Sequence, residues 1–256
     1  MSTDSDHKKY EKDLLTRLIE MEPYANIGRM AGGLAHNLQS PLTAIKGYSQ
    51  LIQVDHGRIE ELDLILKEVQ QIQNVTHHLL GKIRHLHDRS KKTILLNDII
   101  GLELEFLKSN LNFKHRIKKH IQLDPELPVF EAVYADISQI LLNLLLNAID
   151  AMVETPEKEL TILTRHDATH IYVEIHDTGP GIPPDQMKKI RQPLFTTKPG
   201  LSEIQDDKTP AGAGVGLSAV TVLLEKAGGE MDIRSDTGGT AVTVRFPYSA
   251  PEDKIN

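Results

Sequence analysis

The chain has 256 residues, a net charge of −7, no cysteine and no tryptophan. The lack of cysteine excludes disulfides and thiolate metal sites, and the acidic charge argues against nucleic acid as the main partner, because phosphate binding needs a basic face. No apolar run reaches the ~20 residues that span a bilayer, and residues 1–12 are too polar for a signal peptide. We therefore expect a cytoplasmic protein without a membrane segment, unless the sequence is part of a larger receptor.

Two long helical patterns begin the chain, over residues 8–54 and 59–89, and a short polar turn separates them. So short a turn requires the helices to fold back as an antiparallel hairpin. The second helix has a heptad pattern, in which one face carries a mostly apolar residue every three or four positions, as in a coiled-coil seam. These residues are Leu62, Ile65, Val69, Ile72, Thr76, Leu79, Ile83 and Leu86. Because one hairpin buries too little of this seam, we expect two chains to pair as a dimeric four-helix bundle.

Short strand patterns alternate with helical patterns from residue 93 onward, after a predicted linker at residues 90–92. This mixture predicts a mixed sheet with helices on one face. Asp136 is predicted to cap the second helix and the glycines at 228–229 to end the third. The predicted strands are 117–123, 129–133, 160–165, 171–176, 230–234 and 241–246, and the helices are 98–109, 136–152 and 215–227.

The second of these helices places Asn143, Asn147 and Asp150 on one face, among apolar neighbours. Two interpretations stay open for the asparagines. Buried amides need partners, so they can serve as hydrogen bonds between packed helices. Alternatively, an amide oxygen can coordinate Mg²⁺ beside phosphates, because Mg²⁺ takes hard oxygen ligands.

Two glycine-rich segments follow. In the first, Asp177 ends a predicted strand and Gly179 and Gly181 come next; this is a common turn, but such a carboxylate can also accept a hydrogen bond from an adenine amino group. The second segment, residues 212–218, leads into a helix whose free N–H groups and dipole attract phosphate. Between them, the long polar stretch from residue 193 to 216 is typical of a lid.

Together and in this order, these segments resemble the nucleotide-binding boxes of histidine kinases. Residues 143–152 resemble the N box, 177–182 the G1 box, 193–198 the F box, 212–218 the G2 box and 238–240 the last glycine-rich element. The resemblance implies an α/β sandwich that binds ATP, shared with the gyrase-type ATPases. Residues 212–218 lack the Gly-Lys-Ser/Thr sequence of a P-loop, so the segment is not one.

The resemblance also implies roles for single residues. Asn147 would ligate Mg²⁺ and Asp177 would hold adenine, while Asn143 and Lys198 would reach the phosphates. The gyrase-type ATPases carry a water-activating Glu at the position of Asn143, and an amide cannot act as that base. The implied nucleotide site comprises Asn143, Asn147, Asp150, Asp177, Gly179, Gly181, Ile182, Phe195, Thr197, Lys198, Gly212, Gly214, Val215, Gly216, Leu217 and Thr240.

The first long helix contains residues 33–45, which resemble the H box of the same family. The resemblance implies that His36 accepts the phosphoryl group, and Pro41, which interrupts helical hydrogen bonding, loosens the helix beside it. Asn37 departs from the family, which has an acid there, so we expect slow autophosphorylation and a faster Asn37→Glu variant. Ser40 stands where related phosphatases position water.

These patterns divide the chain into an N-terminal signalling helix (1–24), a dimerisation and phosphotransfer domain (25–90), an ATP-binding catalytic domain (91–250) and a tail (251–256). The leading hypothesis is a histidine kinase that passes phosphate to an aspartate of a separate response regulator. A degenerate kinase that only docks a regulator is the alternative that Asn37 favours. A gyrase-type ATPase is the third, and Asn143 argues against it.

Overall fold

The computed structural model describes residues 44–45, 88–108, 110–190, 192, 195 and 216–249. The predicted helical hairpin lies almost wholly outside these residues, and so does most of the stretch from 193 to 216. Within the described part, seven strands and four helices follow one another in chain order. They are β1 (Lys91–Ile94), α1 (Leu96–Leu107), α2 (Leu111–His115), β2 (Lys118–Gln122), β3 (Phe130–Val133), α3 (Tyr134–Ala151), β4 (Glu159–His166), β5 (His170–Asp177), α4 (Gly216–Lys226), β6 (Glu230–Asp236) and β7 (Gly239–Pro247).

Five of the strands form a mixed sheet in the order β2-β4-β5-β7-β6. β2 runs parallel to β4, and every other neighbouring pair is antiparallel. Buried residues alternate strictly with more exposed ones along β4 and β5, as expected for strands with one face on a core. The sheet therefore has an inner face, which the helices cover, and an outer face.

Helix α3 lies at the centre of the core, because it packs on β5 and on both α1 and α4. Fourteen of its 18 residues are buried, as expected for a helix surrounded by protein. Ile137, Ile140 and Leu141 are fully buried. Burial of each such side chain contributes about 1.5–3 kcal/mol, so α3 is a main source of stability for the domain. The predicted mixed sheet with helices on one face is confirmed.

The structure corrects two predictions at the start of the domain. Residues 90–92 are not simply a linker, because β1 begins at Lys91 and pairs antiparallel with β3. Asp136 does not cap α3, which begins at Tyr134 after an extended Val133 without a side-chain cap. Asp136 lies inside the first turn, is buried, and forms an ion pair with Arg89. The ion pair with a charged residue of the preceding segment, rather than helix capping, accounts for an aspartate at this position.

The predicted end of the last helix is confirmed. α4 ends at Lys226, and the Gly229 N–H donates to the Leu224 carbonyl oxygen at 2.8 Å, while the Gly228 N–H donates to Glu225 at 3.2 Å. These bonds satisfy carbonyl groups that the helix leaves free at its end. The chain then turns directly into β6.

Candidate functional site

The inner face of the sheet changes from apolar to polar at one end. In the middle, Ile162, Ile175, Val242 and Ile233 are register partners across four strands. One step further along, Leu160 pairs with Asp177, Asp177 with Thr240, and Thr240 with Ser235. Register partners in antiparallel strands present their side chains on the same face. We call Asp177, Thr240 and Ser235 the polar rung.

Asp177 is 5% exposed although it is a carboxylic acid. One of its oxygens accepts the Gly179 N–H at 2.8 Å. Burial raises its pKa to about 6, and backbone hydrogen bonds from Gly179 and Thr240, together with the nearby His176, oppose this increase only in part. The site therefore holds a carboxylate whose burial the protein does not fully compensate, which is a common property of ligand-binding groups.

The loop after Asp177 passes close to the sheet and to α3, and two glycines allow this. A Cβ atom at Gly179 would lie 2.6 Å from the Asp177 Oδ1 atom and 2.9 Å from the Ala151 Cβ atom. Gly181 has φ +75°, and a Cβ atom there would lie 1.8 Å from the Asp236 carbonyl oxygen. Any side chain at either position would displace the loop, so the glycines of the G1 box set its path beside Asp177.

Thr178 fixes the start of this loop to β4. Its hydroxyl accepts the Glu159 N–H at 2.9 Å and donates to the Glu157 carbonyl oxygen at 3.1 Å. The Ile182 N–H at the other end donates to the Ser235 Oγ atom at 2.8 Å. The loop is therefore anchored at both ends by hydroxyl side chains.

The polar face of α3 lies next to the start of α4. Asn143 is 3% exposed, and its side-chain amide donates to the Gly216 carbonyl oxygen at 3.3 Å. Asn147 and Asp150 are half-buried. Of the two interpretations open for the asparagines, Asn143 here makes a hydrogen bond between packed helices, and this same bond brings the G2 box against the N box.

The first turn of α4, from Gly216, contains the half-buried Leu217 and the buried Ser218. The N–H groups of a first helical turn have no partner within their own helix, and the helix dipole places positive charge there. The hydrogen bond to Asn143 directs this end of α4 toward the polar face of α3. The arrangement suits a phosphate group placed near α4 with its charge facing the helix end.

The oxygen donors of this region fit Mg²⁺ better than a transition metal. Asn147 and Asp150 offer an amide and a carboxylate oxygen on one half-buried helix face. In the part of the chain that the structure describes, no three acidic or histidine side chains gather as a metal cage. Mg²⁺ needs no such cage, because it usually keeps waters and uses one or two protein ligands together with phosphate oxygens.

Other predicted site residues fall partly outside the described chain. Phe195 is half-buried, and its N–H donates to the Gln192 carbonyl oxygen at 3.3 Å. The predicted residues outside the described part are His36, Asn37, Ser40, Thr197, Lys198, Gly212, Gly214 and Val215. The structure thus brings together the predicted N box, the G1 box and the first residues of α4.

Sequence reasoning placed Ala151 in the N box without giving it a role in the site, and it missed Ser235. The contact of Ala151 with the G1 loop depends on how α3 crosses the sheet, and no local pattern records it. Ser235 does carry a signal, since Met231, Ile233 and Ser235 alternate along β6 and only Ser235 is polar. The signal identifies an inward-facing hydroxyl, but the pairing with Thr240 becomes visible only in the sheet.

Two family profiles match the chain. The family described as "His Kinase A (phospho-acceptor) domain" matches residues 26–85, and that described as "Histidine kinase-, DNA gyrase B-, and HSP90-like ATPase" matches residues 132–250. The two matches lie in the order that the H box and the nucleotide boxes predict.

Curated relatives match nearly the whole chain. The sensor histidine kinase ZraS of Salmonella typhimurium is 28% identical over 261 residues, which cover 95% of this chain and 51% of that protein. The signal transduction histidine-protein kinase AtoS of Escherichia coli is 29% identical, and the match covers 93% of this chain and 38% of that protein. The chain thus spans about half of ZraS and less of AtoS.

Among solved structures, the catalytic domain of histidine kinase ThkA in a nucleotide-free form superimposes with a TM-score of 0.52 at 27% identity. The match covers 62% of this chain and 97% of that domain. Among the described residues, no helix combines the length and the apolar character needed to cross a bilayer.

Proposed function

Because this chain belongs to the sensor histidine kinases of two-component systems, we propose that it binds Mg-ATP beside Asp177 and transfers the γ-phosphoryl group to its own His36. The phosphoryl group then passes to an aspartate on a separate response regulator. The observation that carries the ATP-binding part is the polar rung, which places a buried, incompletely compensated carboxylate beside the G1 loop and the end of α3. Asn143, on the same helix, contacts the start of α4.

Adenine recognition rests on Asp177. Its carboxylate is an acceptor at the end of an apolar sheet face, and it suits the N–H donors of an exocyclic amine. The apolar residues of the neighbouring rung, Ile162 and Ile175, are buried in the core and hold the sheet beneath this carboxylate. Guanine and hypoxanthine carry an oxo group where adenine carries the amine. Because this oxo group and the carboxylate are both hydrogen-bond acceptors, they repel each other, and the site favours adenine.

Phosphate handling rests on α3 and α4. Asn147 would hold Mg²⁺, which supplies charge neutralisation to the phosphate oxygens. The first turn of α4 offers N–H groups to the same phosphates, and Asn143 holds that turn in place through Gly216. Because the amide of Asn143 has no useful basicity, this position does not activate water, and ATP survives for attack by another nucleophile.

His36 is the proposed nucleophile. A ring nitrogen of neutral imidazole forms a bond to the γ-phosphorus as the bond from phosphorus to the β,γ-bridging oxygen breaks, and ADP leaves. An unperturbed His has a pKa near ~6.5, so the neutral form dominates at neutral pH. An amide such as that of Asn37 can accept a hydrogen bond from the ring but cannot take its proton, so catalysis would depend mainly on positioning and charge stabilisation.

The proposed function also assigns a role to each domain of the chain. We place the dimerisation and phosphotransfer domain at residues 25–90 and the catalytic domain at residues 91–250, with the hairpins of two chains forming a four-helix bundle. We also propose that Ser40 orients water in a phosphatase reaction. A cytoplasmic location remains a prediction.

One experiment tests the proposal. The purified chain is incubated with Mg²⁺ and γ-labelled ATP beside a His36→Ala variant. We expect an acid-labile, base-stable label on the wild-type protein and none on the variant. Equal labelling of the two proteins would contradict the assignment of His36. Absence of label on a wild type that still binds ADP would favour the docking-module alternative, which Asn37 keeps open, and Asn37→Glu would then be expected to restore labelling.

A further inference from the structure

Ser235 is the member of the polar rung that neither the nucleotide boxes nor the expected site include. It lies on β6, at the edge of the five-stranded sheet, and is half-buried. Its Oγ atom has three neighbours within hydrogen-bond distance: the Ile182 nitrogen at 2.8 Å, the Thr240 Oγ1 atom at 2.9 Å and the Gly239 carbonyl oxygen at 3.0 Å. One hydroxyl therefore connects the G1 loop to the β6–β7 turn.

The chemistry of these three partners fixes the direction of each hydrogen bond. A serine hydroxyl has one proton to donate and two lone pairs that accept. The Ile182 N–H can only donate, and the Gly239 carbonyl can only accept, so the Ser235 proton goes to Gly239. The remaining lone pair of Ser235 must then receive the proton of the Thr240 hydroxyl.

This assignment turns Thr240 into an acceptor. Its only hydroxyl proton is directed toward Ser235, which leaves its oxygen lone pairs for a ligand. Thr240 is 8% exposed, and it is the register partner of Asp177 on the same face of the sheet. Directly paired side chains lie about 5 Å apart at Cβ. Two acceptors thus stand side by side on one rung, and an exocyclic amine carries two N–H donors to match them.

We propose that Ser235 is a positioning residue for base selection: it holds the Thr240 hydroxyl as an acceptor and fixes the Ile182 end of the G1 loop, so that the site prefers the 6-amino group of adenine to a 6-oxo group. This inference rests on the proposed ATP-binding function and extends it. Without Ser235, the Thr240 hydroxyl is free to rotate and donate, and an oxo-substituted base is then tolerated.

The test compares ADP with inosine diphosphate, which has an oxo group in place of the amine, in the presence of Mg²⁺. Affinities of the full chain are measured by calorimetry for the wild type and for Ser235→Ala. We expect the variant to bind ADP about tenfold more weakly, as loss of a hydrogen bond that orders a buried group predicts. We expect the dissociation constant of inosine diphosphate to change by less than about twofold. The dissociation constant of inosine diphosphate divided by that of ADP should therefore be smaller for the variant than for the wild type. At saturating ATP, the labelling rate should change little.

Two further variants complete the design. Thr243→Ala is the matched control, because it removes a hydroxyl from β7 on the outer face, where Thr243 contacts Glu174. It should leave both affinities unchanged. Ser235→Cys retains the side-chain volume but is a poor donor and acceptor, so it should behave as Ser235→Ala does and carries the test if the alanine variant does not fold.

The outcomes separate the two levels of the account. A wild type that binds neither nucleotide would overturn the proposed function and this inference with it. A wild type that binds ADP well, with a Ser235→Ala variant that binds ADP equally well, would overturn the role of Ser235 alone. The same holds if the variant weakens ADP and inosine diphosphate by equal factors, because that result indicates a general structural role.

Discussion

The inner sheet face carries buried polar side chains at both ends of the buried stretch of β4, residues 160–164, but the protein satisfies their hydrogen bonds to different extents. At one end Thr164 is 4% exposed, and its hydroxyl donates to the Asn97 side chain at 3.1 Å and accepts the Asp124 N–H at 2.8 Å. At the other end Asp177 is as deeply buried, yet its protein partners leave its pKa raised to about 6. The first end is closed by protein, whereas the second is prepared for a ligand.

This difference shows how to separate structural from functional polarity on one sheet. A buried polar group whose hydrogen bonds the protein completes costs little and orders the core. A buried carboxylate whose hydrogen bonds the protein completes only in part lowers the stability of the fold. A bound ligand that donates to this carboxylate can restore the lost stability. The apolar rung between the two ends gives a third class, which contributes stability without contacting a ligand, because Ile162 and Ile175 are buried in the core.

The largest expected effect is on the apolar rung. Ile175 is 2% exposed in the middle of β5, so Ile175→Ala should lower the free energy of unfolding by about 2–5 kcal/mol. Urea unfolding followed by circular dichroism measures this change. The folded fraction should bind ADP within about threefold of the wild type. A variant with normal stability and strongly reduced ADP affinity would contradict the division between the rungs.

A smaller effect concerns pH. Because the pKa of Asp177 is raised from 3.8 to about 6 in the folded protein, the folded state binds a proton more tightly than the unfolded state. Stability from this group should therefore fall as pH rises from about 4 to about 7 and stay constant above, by about 3 kcal/mol in all. The difference between wild type and Asp177→Asn over this range measures it. Parallel pH profiles would contradict the burial cost assigned to Asp177.

The smallest effect is expected at the closed end. Thr164→Val preserves side-chain shape but removes two hydrogen bonds, so the free energy of unfolding should decrease by about 1–2 kcal/mol. ADP affinity should not change, because Thr164 lies two rungs away from Asp177 and its hydroxyl is fully bonded to protein groups. If Thr164→Val instead reduced ADP affinity as much as a change at the polar rung, the two ends would not differ in function.

Much of the domain was predictable from local patterns. The strict alternation along β4 and β5 located both strands within a few residues, and the apolar run of α3 located that helix. The prediction placed the start of α3 at Asp136, because an aspartate before an apolar helix is typical of a cap. The ion pair with Arg89, from a segment 47 residues earlier, is not encoded locally.

The polar rung shows the limit of the same reasoning. Asp177 and Thr240 were predicted one at a time, on the resemblance to the nucleotide boxes, whereas Ser235 was not predicted at all. What joins Asp177 to the other two is the register of β5 with β7, strands that lie more than 60 residues apart, whereas β6 and β7 form a hairpin. Similarly, β1 has an exposed, lysine-rich sequence that resembles a linker, and only its pairing with β3 makes it a strand.

The most direct test of the central claim is the affinity for ADP, with Mg²⁺, of the wild-type chain and of Asp177→Asn, measured by calorimetry on proteins with matched unfolding curves. The asparagine keeps the shape of the side chain but loses its charge and presents one oxygen as an acceptor where the carboxylate presents two. We predict that the variant is at least as stable near pH 7 and binds ADP about 10- to 100-fold more weakly. Equal affinities for the two proteins would contradict the assignment of the polar rung as the adenine site.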